Sequence, residues 1–169
     1  MKIIETPICR ADIDNLRVGD MVLIRGDIFC GRDAVLPKVQ QAIRQGELAA
    51  LGIELEGSVI FHTAVSPAGV GPTSSNKLEI ESSIGPLSEA GVRLHLGKGA
   101  LSRETVEALD RFGSVYAVIP PVTALLGDKT VSRELVAFPE LGMEALYRLR
   151  VEGYPAIIAA AHGRSIYDE

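Results

Sequence analysis

The chain has 169 residues, 47% of them hydrophobic and 23% charged, and carries a formal net charge of −5. This balance suits a folded globular domain and argues against a disordered chain. With no basic block to offset the negative charge, it also argues against a nucleic-acid surface. No apolar run approaches the length of a membrane span, and the opening residues lack the basic, apolar and small-residue order of a signal peptide, so a cytoplasmic location is expected.

In chain order, Met21 to Phe29 has a strand pattern interrupted by Gly26. Arg32 to about Gln45 reads as a helix, because Val35, Leu36, Val39, Ala42 and Ile43 recur at helical spacing. Ser58 to Ala64 is a second strand, and about Ser75 to Glu89 is helical with a break expected near Gly85-Pro86. From Val92 to Leu96 the residues alternate, with Val92, Leu94 and Leu96 on one face and Arg93 and His95 outward. Ser102 to Arg111 reads as a helix with Val106 and Leu109 inward, and Val115 to Ile119 as a buried strand. A short helical turn is expected over Thr123 to Leu126, a strand over Val131 to Phe138, a helix over Leu141 to Leu149 and a final buried strand over Pro155 to Ala161. Without a low-complexity linker or a repeat, residues 1–169 are expected to form one α/β domain, a central sheet covered by helices.

The two cysteines, Cys9 and Cys30, are too few for an iron–sulfur cluster held by this chain alone, and no paired Cys/His motif offers a structural zinc site. Both read as small apolar fillers, with Cys30 close enough to Arg32 to line a pocket. His62 at a strand end and His95 on an alternating strand read as structural, and His162 as solvated.

The segment that carries chemistry is Gly71-Pro72-Thr73-Ser74-Ser75-Asn76-Lys77-Leu78-Glu79. It lies between an apolar strand and a helix, where helix N–H groups, three hydroxyls and a lysine together make an anion pocket. Two more cationic glycine turns, Gly31-Arg32-Asp33 and Gly97-Lys98-Gly99, follow predicted strands. In open α/β sheets ligands collect beyond the carboxyl ends of strands, so three cations there imply one site for a small anion. A nucleotide phosphate loop requires glycine before the lysine and serine or threonine after it, and Asn76 and Leu78 do not fit. Taken alone, Thr73 suits a helix N-cap better than a catalytic role, Lys98 equally suits an exposed turn, and Lys77 suits a solvated position in the first helical turn. A cation such as Arg32 at a helix start opposes the helix dipole, which favours a functional reason for it.

These segments resemble, in order and over nearly the whole chain, the β subunit or C-terminal domain of the iron–sulfur hydro-lyases, class I fumarase and L(+)-tartrate dehydratase. The matching segments are Thr6-Pro7-Ile8, Leu16-Arg17-Val18-Gly19-Asp20, Gly31-Arg32-Asp33-Ala34, Val59-Ile60-Phe61-His62, Gly71-Pro72-Thr73-Ser74-Ser75, Gly97-Lys98-Gly99 and Glu140-Leu141-Gly142-Met143-Glu144-Ala145. The resemblance implies a swivelling β/β/α three-layer domain with a central mixed sheet. It implies a [4Fe–4S] cluster carried by a partner α subunit, in an αβ or α2β2 complex, with neither cofactor nor metal bound by this chain. It implies Thr73 and Lys98 as catalytic residues and Arg32, Lys77, Ser74, Ser75 and Gly71 as substrate-binding residues. The implied activity is reversible hydration of a small dicarboxylate. Fumarate/malate leads, with L(+)-tartrate or another hydroxy acid as the alternative. A non-catalytic anion-binding module is the competing reading. Many relatives have a second threonine where this chain has Ser74 and an arginine where it has Lys77. Lysine gives up the bidentate fork of arginine, so these departures bear on the substrate more than on the reaction class.

Overall fold

The structure is a computed structural model that describes residues 1–66, 69–73, 77–119 and 123–168; of these, 65–66, 69–73, 77–79 and 123–125 are described by their backbone alone. Strands β1 (Lys2–Glu5) and β2 (Met21–Cys30) run parallel, joined through helix α1 (Arg10–Asp14). After helix α2 (Leu36–Gln45), β3 (Val59–Phe61) pairs in parallel with the far end of β2. A separate antiparallel hairpin, β4 (Thr63–Ser66) and β5 (Gly69–Thr73), follows β3 directly. Helix α3 (Lys77–Glu89), β6 (Leu94–Gly97), helix α4 (Arg103–Phe112) and β7 (Val115–Val118) extend the parallel sheet. Helix α5 (Thr123–Asp128), β8 (Thr130–Ala137), a 3-10 turn (Pro139–Glu144), β9 (Leu146–Ala161) and β10 (Arg164–Ser165) complete the chain.

The sheet is mixed, as the resemblance implies, and it closes. β9 pairs antiparallel with β7 and with β2, so that β2, β3, β6, β7 and β9 form a barrel-like ring, a closure that the family resemblance does not imply. Along one edge β2 keeps β9 throughout; along the other it pairs first with β1 and then with β3. The changeover falls at a register shift between Ile24 and Arg25, beside Gly26. Gly26 has φ +109, and a Cβ there would lie 2.2 Å from Thr6 Oγ1, so only glycine lets the strand turn under the end of β1. The strand interruption visible in the sequence is therefore a corner of the barrel.

Alternation along each strand separates two layers of core. Ile24, Ile28, Val59, Phe61, Leu94, Leu96, Val115, Ala117, Leu149, Val151, Tyr154 and Ile158 pack together inside the ring. Phe61 and Tyr154 meet there edge to face, with centroids 6.1 Å apart. Ile60 points the other way, into a cluster with Val35, just before α2, and Leu36 and Val39 of α2. Tyr116 and Ala160 likewise face Ile80 and Ile84 of α3 and Val106 and Leu109 of α4. Helix α4 is the clearest local reading: Ser102 caps its start by accepting from the Thr105 N–H, and Gly113 ends it at φ 72.

Four expectations are corrected. The helix expected over Leu141 to Leu149 is a 3-10 turn followed by the start of β9, because Gly142 at φ 61, ψ −123 breaks the helix and the residues from Leu146 pair with β8 and β2. Helix α3 runs unbroken through Gly85-Pro86, held by Ile84 and Leu87, which are wholly buried; Pro86 removes one backbone hydrogen bond, and this burial outweighs the loss. His95 does face away from Leu94 and Leu96, but α3 covers that side of the strand and His95 is buried. Cys9 is exposed, its thiol donating to Asp12 at 3.2 Å, and Cys30 packs inside the barrel rather than lining a pocket, where burial pushes its thiol pKa up.

Replacing Gly26 with alanine forces a Cβ into Thr6 at a backbone angle that L-residues avoid. The Gly26→Ala variant is expected to lose about 1–3 kcal/mol of stability, measured as a lower midpoint in urea unfolding followed by circular dichroism.

Candidate active site at the strand ends

Three parallel neighbours, β2, β3 and β6, end side by side. Backbone bonds tie their ends together: Gly31 N–H donates to the Phe61 carbonyl at 3.1 Å, and His62 N–H to the Leu96 carbonyl at 3.0 Å. Arg32 lies two residues beyond β2, and Lys98 one residue beyond β6. The β4–β5 hairpin rises from the end of β3 and returns the backbone of Thr73 opposite Thr63. The backbones of Arg32, Thr73 and Lys98 thus lie at one end of the main sheet, Thr73 as the last residue of the separate β4–β5 hairpin. Gly71 lies in β5, and Lys77 is the first residue of α3, so its backbone sits at the helix end that favours anions. Ser74 and Ser75 lie outside the described residues.

Arg32 does not stand alone. Its Nε is 2.9 Å from Glu144 Oε1 and 3.1 Å from Oε2, and one Nη is 2.5 Å from Oε1. The Glu144 carboxylate raises the guanidinium pKa further above its ordinary value, mainly through these hydrogen bonds. Glu144 grips one edge of the planar group, and among the described residues no hydrogen bond takes the outer edge or the second Nη. The arginine is thus held by a residue from the 3-10 turn before β9, with both side chains about a third exposed. Glu144 belongs to a segment whose residues invite notice in the sequence, but nothing local assigns it to Arg32.

Lys98 is exposed between Gly97 and Gly99. Beneath it lies Tyr116, whose hydroxyl donates to the Gly99 carbonyl at 3.1 Å, and a Cβ on Gly97 would lie 3.1 Å from that hydroxyl oxygen. The glycines let the backbone rest on the tyrosine, and the tyrosine fixes the turn that carries the lysine. Burial raises the Tyr116 pKa, so it remains a neutral donor.

The two histidines are the other group that sequence reasoning left out of the site. His62 Nε2 and His95 Nδ1 are 3.2 Å apart, and His95 Nε2 is 2.9 Å from Ser88 Oγ of α3. Both rings are wholly buried. Burial lowers the His62 pKa to about 4, against a smaller opposing effect of the Asp33 carboxylate. His95 is lowered well below its ordinary value by burial and then by His62.

A family model described as Fumarase C-terminus matches residues 2–169. The chain belongs to this Fumarase C-terminus family. It is 30% identical over 175 residues to a Methanocaldococcus jannaschii protein named "Putative L(+)-tartrate dehydratase subunit beta", covering 95% of this chain and 88% of that one. It is 29% identical over 182 residues to the L(+)-tartrate dehydratase subunit beta of Escherichia coli K12, covering 99% and 87%. A Geobacillus stearothermophilus protein named "Putative fumarate hydratase class I" is 28% identical over 180 residues, which span 98% of this chain and 33% of that longer protein. The Fumarase C-terminus chain has no helix, among its described residues, long and apolar enough to cross a membrane.

The buried histidines are expected to make this fold acid-sensitive. An unfolded histidine takes its proton near pH 6.5, whereas His62 in the fold does so only at about 4. Between these values the unfolded state binds more protons, so stability is lost as pH falls. The expected slope in that window is about 1.4 kcal/mol per pH unit for each histidine that stays neutral. Urea unfolding at a series of pH values from 7 to 4.5 measures it directly; a flat profile would mean that the two rings accept protons within the fold.

Proposed function

We propose that residues 1–169 form one domain, the β subunit of a hydro-lyase that adds or removes water at a small dicarboxylate. The observation that carries this reading is the placement of Arg32, Thr73 and Lys98 at one end of neighbouring strands β2, β3 and β6. Fumarate/malate is the first substrate pair, and L(+)-tartrate stands beside it because relatives of matching length carry that name. In this proposal the partner is an α subunit, and the β chain swings onto it to enclose the substrate.

The [4Fe–4S] cluster that the family resemblance implies is assigned to that α subunit, because the residues of this chain do not fit it. Cys9 is exposed and Cys30 is enclosed in the barrel, and no group of three or more metal-binding side chains comes together among the described residues.

Each residue has a role suited to its chemistry. The outer edge of the Arg32 guanidinium binds one substrate carboxylate, its orientation fixed by Glu144 on the other edge. Thr73 exchanges the proton on the carbon next to that carboxylate. A threonine hydroxyl is a weak base, so the reaction needs positive charge close by to favour its alkoxide, and Lys98 and Lys77 supply it. The same cations stabilise the charge that builds on the carboxylate as the proton leaves. Gly71, Ser74 and Ser75 add hydrogen-bond donors around the anion.

Co-expression with the candidate α subunit under anaerobic conditions, followed by absorbance assays of fumarate, malate and L(+)-tartrate turnover, tests the proposal. Thr73→Ala is expected to cut kcat by about 10²–10⁴-fold while the complex still forms. Arg32→Lys is expected to raise KM by about tenfold or more, the loss of one charge-assisted hydrogen bond, and Glu144→Gln to raise it less. Activity from the isolated chain, or a Thr73→Ala complex as active as wild type, would overturn this assignment. A chain that binds these anions but forms no complex would instead be an anion-binding module.

A further inference from the structure

Behind the strand ends runs a polar chain to which the proposed chemistry gives no part. Ser88, His95 and His62 are joined in sequence at 2.9 and 3.2 Å, with the two rings 5.4 Å apart and tilted by 32°. All three residues are at most 1% exposed. The chain then stops: His62 Nδ1 is buried without a hydrogen-bond partner among the described residues. Such a nitrogen costs free energy that an apolar side chain would avoid, so it calls for a partner that arrives from elsewhere. His62 directly follows β3, which lies between β2 and β6, and therefore sits between the Arg32 and Lys98 turns. The Asp33 carboxylate of the Arg32 turn is close enough to act on the ring electrostatically.

Two neutral imidazoles linked nitrogen to nitrogen have two self-consistent arrangements. If the Ser88 hydroxyl donates to His95 Nε2, then His95 Nδ1–H donates to His62 Nε2, and His62 Nδ1 carries a hydrogen. If Ser88 accepts, both bonds reverse and His62 Nδ1 offers a lone pair. The pair can thus present a donor or an acceptor without burying a charge.

We infer that His62 is a further substrate-binding residue, whose Nδ1 makes a neutral hydrogen bond to a carboxylate or hydroxyl of the bound hydroxy acid, with His95 and Ser88 setting whether it donates or accepts. The ligand class rests on the hydro-lyase reading; the unpartnered nitrogen does not. A neutral group suits this position, because Arg32, Lys98 and Lys77 already supply charge, and a hydrogen bond to a hydroxyl distinguishes hydroxy acids from plain dicarboxylates.

The test separates the two ring nitrogens. Asparagine places a polar atom near ring position δ1, and glutamine near ε2. In the αβ complex, His62→Asn is expected to hold KM within about threefold of wild type, and His62→Gln to raise it about tenfold, since only glutamine keeps the link to His95 while losing the δ1 group. In the full chain labelled with ¹⁵N-histidine, adding L(+)-tartrate or malate is expected to shift the His62 Nδ1 resonance, with His95 following. A titration that moves the Gly31–Asp33 and Lys98 amides but not His62 overturns this inference and leaves the hydro-lyase reading standing. So does a His62→Gln complex with wild-type KM. A titration that moves none of these resonances also overturns it. A His62 shift in a chain whose complex turns over no hydroxy acid supports the binding role and overturns the hydro-lyase reading instead.

Discussion

The antiparallel pairing of β2 with β9 runs from Met21 beside Ile157 to Cys30 beside Tyr147, and the rest of the molecule is arranged around it. Without it the parallel strands would form an open sheet with two long edges; with it the sheet becomes a ring with an interior. The register is fixed by alternation, because sliding β2 by one residue would turn Ile24 and Ile28 out of the barrel, and sliding β9 would turn out Leu149. That constraint also decides where the strand ends lie. Once β2 is fixed against β9, β3 and β6 follow in parallel, and their ends deliver Arg32, the Thr73 hairpin and Lys98 to one rim.

The rim balances charge against order. A site for a doubly charged substrate needs cations, yet cations on strand-end turns are mobile and well hydrated unless something holds them. Among the described residues, the fold holds the rim cations Arg32 and Lys98 by different means. Arg32 is gripped from the side by a carboxylate, and the Lys98 turn is supported from below by a neutral phenol. Glu144 cancels part of the charge it orients, while Tyr116 orients without cancelling. The guanidinium can tolerate the loss because it has five donors and needs only some of them for an anion.

The parts of this arrangement that depend on near neighbours were legible in the sequence. Ser102 and Gly113 mark the ends of α4, the run from Val115 marks a buried strand, and the glycine-flanked cations mark strand-end turns. The parts set by distant partners were not. Leu141 to Leu149 has enough apolar residues to satisfy a helical period, and only pairing with β8 and β2 makes its second half a strand. Alternation sets His95 opposite Leu94 and Leu96, but whether its face meets water or α3 depends on where α3 packs. Glu144 is 112 positions from the arginine it orients, a separation at which no local pattern operates. Gly26 shows the intermediate case: the sequence marks an interruption, and the end of β1 explains it.

The contact between Gly97 and Tyr116 reaches beyond this one chain. A larger residue at 97 would collide with the ring, and a smaller residue at 116 would leave a void under the turn and an unbonded carbonyl at 99. Neither position can drift independently, although one belongs to the rim and the other to the layer beneath the helices. The Gly97–Tyr116 pair should therefore be inherited as a unit or replaced as a unit.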